Sequence, residues 1–366
     1  MSSNTELSTG ASSNAGSSST GSSNAASHGS AHIAGVGSYL PGDPVDNASL
    51  GKALGVRADW IDTFIGTGTR HFARDLSTGE IRWTLAELCA HAADRALADS
   101  GVDPGLIEFL VLGTATPDAL MPATVNVVAE LLGLDQLPTY QLQSGCAGAV
   151  QALDLAHGFI ASGRHRAGLV LGGDVCAKHL DPTRADLSGR PPSELVNFML
   201  FGDGAGAAVL TGEPTGRRLA VRRVLNRLTG TGRAPGQTVE WFGTADPDDG
   251  RQPVREDYKA IERSVPAMAV EILWELLEEL DWAPEQLDYL LPPQLSGRMT
   301  RLIREQLGVP GATEVSCVAE TGNTGNALPL LQLERLAGLI SPGQRALAVA
   351  VESSKWIKAG LAVEMT

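Results

Sequence analysis

Gln141-Leu-Gln-Ser-Gly-Cys-Ala-Gly-Ala-Val150 is the stretch that decides how this chain is read, with Cys146 at its centre. A β-type run from Thr139 to Leu142 reaches a Ser-Gly corner. Small residues then lead into an amphipathic pattern of Val150, Leu153, Ala156 and Ile160. That order predicts a strand, a tight turn and a helix starting at or near the cysteine. A thiol placed there faces the positive end of a helix and unpaired backbone N–H groups, which favour the thiolate. Gly145, Ala147 and Gly148 leave room for a reactant to approach the sulfur. A buried structural cysteine fits the same turn, because a free cysteine packs as a small hydrophobe. The turn alone leaves both readings open.

Working outward, the chain repeats its own plan. Ahead of the elbow come a helix over about 84–100, a Val-Asp-Pro-Gly turn, an apolar strand at 109–113 and a helix over about 123–132. After it, 168–174 reads as a strand buried on both faces. The second half answers with a helix at 265–280, a Trp-Ala-Pro-Glu-Gln turn, a strand at 288–292 and a helix at 297–307. Thr321-Gly-Asn-Thr-Gly then stands where Ser144-Gly-Cys-Ala-Gly stood, before a helix at 327–339 and a strand at 346–351. If the halves pack about a pseudo-twofold axis, Cys146 and Asn323 share a cleft. Alone, Asn323 would read as a helix cap; the repeat makes it a functional candidate. Phe201-Gly-Asp-Gly-Ala-Gly-Ala has the glycines of a phosphate loop, but no G-K-[ST] follows, so a tight turn feeding a strand is expected.

The 366 residues, 43% hydrophobic, suffice for a large core or two domains. Residues 1–30 form a Ser/Gly-rich tail with little to bury, 31–212 the cysteine half and 213–366 the asparagine half. Cys89, Cys146, Cys176 and Cys317 show no C-x-x-C spacing, so no disulfide framework and no metal site is expected. A net charge of −14 argues against nucleic acid as a partner. No apolar run is long enough to span a bilayer and no signal core is visible, so neither membrane attachment nor export is expected and the cytoplasm is the expected location.

With these motifs in order, the chain resembles the thiolase superfamily, specifically the ketoacyl-ACP synthase III group. The resemblance runs from about residue 31 to 366. It rests on Trp60 to His71, Gly145-Cys146-Ala147-Gly148, Gly172-Gly-Asp174, Phe201 to Ala207 and Gly322-Asn323-Thr324. It implies an α/β thiolase fold, two similar halves in a five-layered α-β-α-β-α stack, as a homodimer. It further implies acyl transfer from CoA or an acyl carrier protein onto Cys146 and then to an acceptor, with Asn323 as partner, Trp60 lining the pantetheine tunnel and no cofactor.

The chain departs from this pattern in three places. The family's Pro-His-Gln-Ala-Asn-x-Arg segment reads Pro292-Pro293-Gln294-Leu295-Ser296-Gly297-Arg298, and the last histidine of the whole chain is His179. The glycine-rich turn near the C-terminus reads Val351-Glu352-Ser353-Ser354-Lys355-Trp356, and Phe64 replaces an arginine that contacts the CoA nucleotide. In the family, histidine and asparagine hold the thioester oxygen while malonyl loses CO2, and losing one oxyanion donor costs about 100- to 1000-fold. Loading of Cys146 depends less on that histidine. The expectation is therefore an acyltransferase of specialised metabolism that passes an acyl group to an amine, hydroxyl or thiol on a small-molecule acceptor. Gln294, Arg298 and Ser353 are candidate substrate contacts, and Glu352, Glu320 and His179 candidate bases. Two basic groups, Arg298/Arg301/Arg304 and Arg217/Arg218/Arg222/Arg223/Arg227, are candidate docking patches for an acidic carrier protein. A decarboxylative C–C-forming ketosynthase III with a substituted catalytic set and a non-catalytic ketosynthase partner are the alternatives.

Overall fold

Leu110, Leu112, Leu169 and Leu171 point to one side of a sheet while Val111 and Val170 point to the other, and every one is buried. This period-two alternation with apolar groups on both faces marks strands sandwiched between two helical layers. The computed structural model describes residues 30–214, 219–241 and 254–366; the expected tail at 1–30 lies outside them except for its last residue.

The first half runs β1 (His32–Tyr39), β2 (Val45–Asp46), α1 (Asn47–Leu54), α2 (Ala58–Phe64), β3 (Thr69–Arg70) and α3 (Leu85–Ser100). It continues with β4 (Leu110–Thr114), α4 (Thr124–Leu131), β5 (Thr139–Gln143), α5 (Gly148–Ala161), β6 (Ala167–Asp174), α6 (Val196–Leu200) and β7 (Gly204–Thr211). The second half opens with β8 (Leu219–Leu228), a short hairpin of β9 (Gln237–Val239) and β10 (Val254–Glu256), and α7 (Tyr258–Leu280). It ends with β11 (Tyr289–Leu291), α8 (Gly297–Gln306), β12 (Thr313–Glu314), α9 (Val318–Thr321), α10 (Leu328–Ala337), β13 (Arg345–Glu352) and β14 (Ile357–Met365).

Strand order in the main sheet is β12-β11-β13-β14-β8-β1-β7-β6-β4-β5. Read outward from the β8–β1 junction, the halves carry the same order, as the repeat predicts. One core packs α5 and α10 between inner faces of both halves. A second packs α3 and α4 on the outside of the first half, and a third packs α7 and α8 outside the second. The layers are therefore α-β-α-β-α, a thiolase fold. Among the described residues no helix is long and apolar enough to cross a membrane.

The central layer is locked by one buried carboxylate. Asp174, at the end of β6, accepts N–H bonds from Ala115 (2.7 Å) and Thr116 (3.2 Å) and hydroxyls from Thr114 and Thr116 (both 3.1 Å) in its own half. From the other half it accepts the backbone N–H (2.8 Å) and side-chain amide (2.9 Å) of Asn326. Asn326 in turn donates to the Ser144 carbonyl (2.9 Å) and accepts from Ala149 N–H (3.1 Å), so it grips both sides of the cysteine elbow. Two glycines permit this approach. A Cβ on Gly148 would sit 2.5 Å from Asn326 Oδ1, and Gly325 has φ +57° and lies against Asp174.

Asn326→Ala would leave Ala149 N–H, the Ser144 carbonyl and part of Asp174 unpaired. It should lower unfolding free energy by about 3 kcal/mol, measured by urea denaturation. A loss under about 1 kcal/mol would mean that the halves do not depend on this clamp.

Candidate active site

The elbow is built as the sequence implies, with one displacement. Ser144 N–H continues the β5 pattern by donating to Thr114 (3.1 Å), and Gly148 N–H closes the turn on Gly145 (2.8 Å). Cys146 sits in that turn, two residues ahead of α5 and half-buried. Three cavities meet at it. The largest, ≈ 200 Å³, runs past Asn323, Phe201, Leu200, Ser353 and Arg298 to Phe64. A second, ≈ 50 Å³, is walled by Cys176, His179, Leu180 and Val239. A third, ≈ 30 Å³, is lined by Pro293, Gln294 and Asn323. The segment after β6 supplies His179 and Leu180, and α6 supplies Val196 and Leu200, to these walls.

The electrostatics run against the expected thiolate. Burial, then the charges of Asp174, Glu352 and Glu256, push the Cys146 thiol up to about 12, although its own turn N–H pulls the other way. At neutral pH the resting nucleophile is a thiol that needs a proton acceptor. Two proposed bases are corrected by the geometry. Glu352 is buried beneath Gly145, with one oxygen accepting the Ser144 hydroxyl (2.5 Å) and the other the Ser354 hydroxyl. It braces the elbow. Glu320 is exposed and paired with Arg335 (2.9 Å), on no cavity wall that reaches the sulfur. His179 does share a cavity with Cys146, and burial with the Lys178 charge lowers its pKa, leaving a neutral imidazole.

Asn323 is held rigidly across the seam between halves. Its N–H donates to Leu200 (3.0 Å) and its carbonyl accepts from Gly202 (3.1 Å). Its Oδ1 accepts Gly325 N–H (3.0 Å), which leaves the amide donors for a bound oxygen. Gln294 is the less expected member. Its Oε1 is taken by the N–H groups of Cys317 (2.8 Å) and Val318 (2.6 Å), while its Nε2 is buried without a partner. An unmade buried hydrogen bond costs about 1–3 kcal/mol. The Gln294 side chain lines a cavity shared with Cys146 and Asn323.

At the rim, Trp60 packs on Phe64 with ring centroids 4.7 Å apart, and Phe64 rather than Trp60 lines the tunnel. Arg298 N–H donates to the Ile65 carbonyl (3.3 Å), joining α8 to the end of α2 and placing its side chain at the same mouth. Arg301 is exposed beside it, while Arg304 donates to the Ala312 carbonyl (2.6 Å). The second basic group does not form a free patch. Arg222 pairs with Glu364 (2.8 Å), Arg223 with Glu279 (2.6 Å) and Arg227 with Glu275 (2.8 Å), while Arg217 and Arg218 lie outside the described residues.

Sequence reasoning missed Gln237 and Glu256. Both line the ≈ 200 Å³ cavity with Cys146. They are cross-strand partners in the β9–β10 hairpin, and no motif or periodicity announces so short a pair. The hairpin docks on the altered C-terminal turn: Gly236 N–H donates to the Ser353 carbonyl (3.0 Å), and a Cβ there would strike the Trp356 ring at 2.7 Å. Among the described residues no three His, Cys, Asp or Glu side chains gather as a metal site requires.

The chain has relatives among known proteins. Residues 140–223 match 3-oxoacyl-[acyl-carrier-protein (ACP)] synthase III, and residues 277–354 match its C-terminal domain. A beta-ketoacyl-[acyl-carrier-protein] synthase III of Streptomyces coelicolor is 31% identical over 87% of this chain and 92% of its own length. One from Rhodospirillum rubrum is 32% identical over 87% of this chain and 94% of its own. Among solved structures, AbyA1, titled a tetronic acid condensing enzyme, is 56% identical with TM-score 0.88, covering 91% of this chain and 99% of that one. The priming beta-ketosynthase of the R1128 polyketide pathway is 29% identical with TM-score 0.77, covering 92% and 96%. The chain thus belongs to the ketoacyl-ACP synthase III family of the thiolase superfamily, as a biosynthetic enzyme.

Proposed function

We propose that this enzyme loads an acyl group from a carrier-protein or CoA thioester onto Cys146 and passes it to the hydroxyl of a second, acyl-type acceptor. The observation that carries this reading is the unpartnered Gln294 Nε2 beside Cys146 and Asn323, in a site without the family's histidine. Two amide donors can hold a thioester oxygen as it becomes an oxyanion.

The 56% identical structure titled a tetronic acid condensing enzyme supports the choice of acceptor. A tetronic acid is a five-membered lactone bearing an enolised ketone, so assembling it from two acyl units takes one ester C–O bond and one C–C bond. In this chain the acceptor hydroxyl would attack the acyl-Cys146 carbonyl, lose its proton to a base and expel the cysteine thiolate. The C–C bond would then join the acyl α-carbon to the acceptor's own thioester carbonyl, expelling that thiol. When the acyl group carries a 3-keto function, two carbonyls acidify the α-carbon. The carbanion then arises by loss of that proton to a base, with no CO2 released, which distinguishes this scheme from the decarboxylative alternative. The acyclic outcome, plain transfer to the hydroxyl, stops at the first bond.

Phe64 at the tunnel rim, where a CoA-binding arginine is absent, favours a carrier protein as donor, with Arg298 and Arg301 as its contacts. The open edge of β5 is the surface on which a second copy would pair in a homodimer, and light scattering at twice the chain mass checks that.

Incubated with acetoacetyl-CoA or an acetoacetyl carrier protein, the enzyme should gain the intact acyl mass, and Cys146→Ala should not. Loss of CO2 from a malonyl donor would instead return the enzyme to ordinary condensation, and no adduct from any donor would leave a silent partner. Gln294→Leu should load with unchanged donor KM but a kcat lower by about 100-fold; an unchanged kcat would remove Gln294 from the oxyanion site. Because the Cys146 thiol lies at about 12, its alkylation by iodoacetamide should rise about tenfold per pH unit between pH 7 and 9. A plateau in that range would show a thiolate already formed.

A further inference from the structure

The scheme above needs a group to take the acceptor's proton, and the two glutamates nearest the elbow and the asparagine loop do not face the substrate. We propose that Glu256, on the β9–β10 hairpin, is the catalytic base that accepts the proton of the acceptor hydroxyl. This inference rests on the acyl-transfer reading and adds to it the residue that makes the second half-reaction possible.

Glu256 lines the same cavity as Cys146 and Asn323, and its charge is felt at the Cys146 thiol. Its orientation is fixed. Gln237 Nε2 donates to Glu256 Oε1 from the facing strand, and Asn197 and Tyr258 complete its hydrogen bonds. The Tyr258 hydroxyl proton is shared between this carboxylate and Asn197 Oδ1 (2.5 Å), so strand, helix α6 and helix α7 converge on one carboxylate. Burial outweighs these bonds and raises its pKa above the usual carboxylate range, which makes it a stronger base than an exposed glutamate. Glu256 also borders a separate polar chamber of ≈ 330 Å³ lined by Arg184, Asp186 and Arg190. A proton taken from the acceptor therefore has a polar way out on the side away from the thioester.

The charged groups around it do not cancel its role. Glu262 and Arg298 line the tunnel side, and Arg184, Asp186, Arg190 and Glu194 line the chamber side. Both chamber arginines are already engaged by Asp186 (2.9 Å each), so neither is committed to Glu256. In the transfer step, the hydroxyl O–H bond breaks toward Glu256 as the C–O bond forms. The C–S bond to Cys146 then breaks, and the proton leaves Glu256 for the thiolate or for solvent.

The test separates base catalysis from loss of structure by using two nucleophiles on the same acyl-enzyme. Cys146 is loaded from acetoacetyl-CoA and discharged either with lactoyl-pantetheine, whose hydroxyl must lose a proton, or with hydroxylamine, which attacks without a base. Glu256→Gln should load at least as fast as wild type, because removing its charge eases ionisation of the Cys146 thiol, and its acyl-enzyme should discharge to hydroxylamine within about twofold of the wild-type rate. Its discharge to lactoyl-pantetheine should fall by about 100-fold or more, and Glu256→Asp should recover part of the loss. In wild type that discharge should fall as the pH drops through a midpoint above the usual carboxylate range, because Glu256 works only when deprotonated; in Glu256→Gln this acid limb should vanish. Equal losses against both nucleophiles, or no loss against either, would overturn the role of Glu256 alone. A wild-type enzyme that loads but never discharges to the hydroxyl thioester would overturn the acyl-transfer reading together with it.

Discussion

The buried carboxylate of Asp174 is the constraint on which the site depends. It takes donors from the β4 loop of its own half and from Asn326 of the other, so neither half can satisfy it alone. Burial pushes its pKa up, which shows how much the surrounding N–H groups must supply to keep it ionised. Asn326 then reaches Ser144 and Ala149 on either side of Cys146. The nucleophile's elbow is thus positioned by one interaction between the pseudo-symmetric halves, which the glycines at 148 and 325 let form, while Asn323 is held separately by Leu200 and Gly202.

Around that fixed point the chemistry has shifted from imidazole to amide and carboxylate. Pro293 and Gln294 replace a cationic or neutral ring by an amide held through its oxygen, with the nitrogen left unpaired. Burial first, and then the nearby charges of Asp174, Glu352 and Glu256, hold the sulfur protonated. Such a site suits reactions in which the incoming molecule brings its own nucleophile.

The elbow, the repeat and the pairing of Cys146 with Asn323 were legible in the sequence because each is local or periodic. A strand, a Gly-rich corner and an amphipathic helix leave a pattern, and its recurrence around Thr321-Gly-Asn323 gave the architecture. What failed was direction. Glu352 and Glu320 flank the right loops, but Ser144 and Ser354 draw the first beneath the elbow and Arg335 draws the second out to solvent. Arg222, Arg223 and Arg227 look like a basic patch until α7 and β14 bring Glu275, Glu279 and Glu364 against them. Glu256 was invisible because its meaning comes from a partner, Gln237, across an irregular connection.

The docking of the β9–β10 hairpin on the Ser353–Trp356 turn has an evolutionary consequence. The hairpin lines the Cys146 cavity through two facing side chains and is anchored at its base by Gly236 and Asp257. It takes no part in the Asp174–Asn326 clamp. A lineage could therefore exchange the hairpin's residues, and with them the nucleophile it accepts, while the loading half of the reaction stays under unchanged selection. Diversity of product and permanence of the acyl-enzyme are carried by separate pieces of chain.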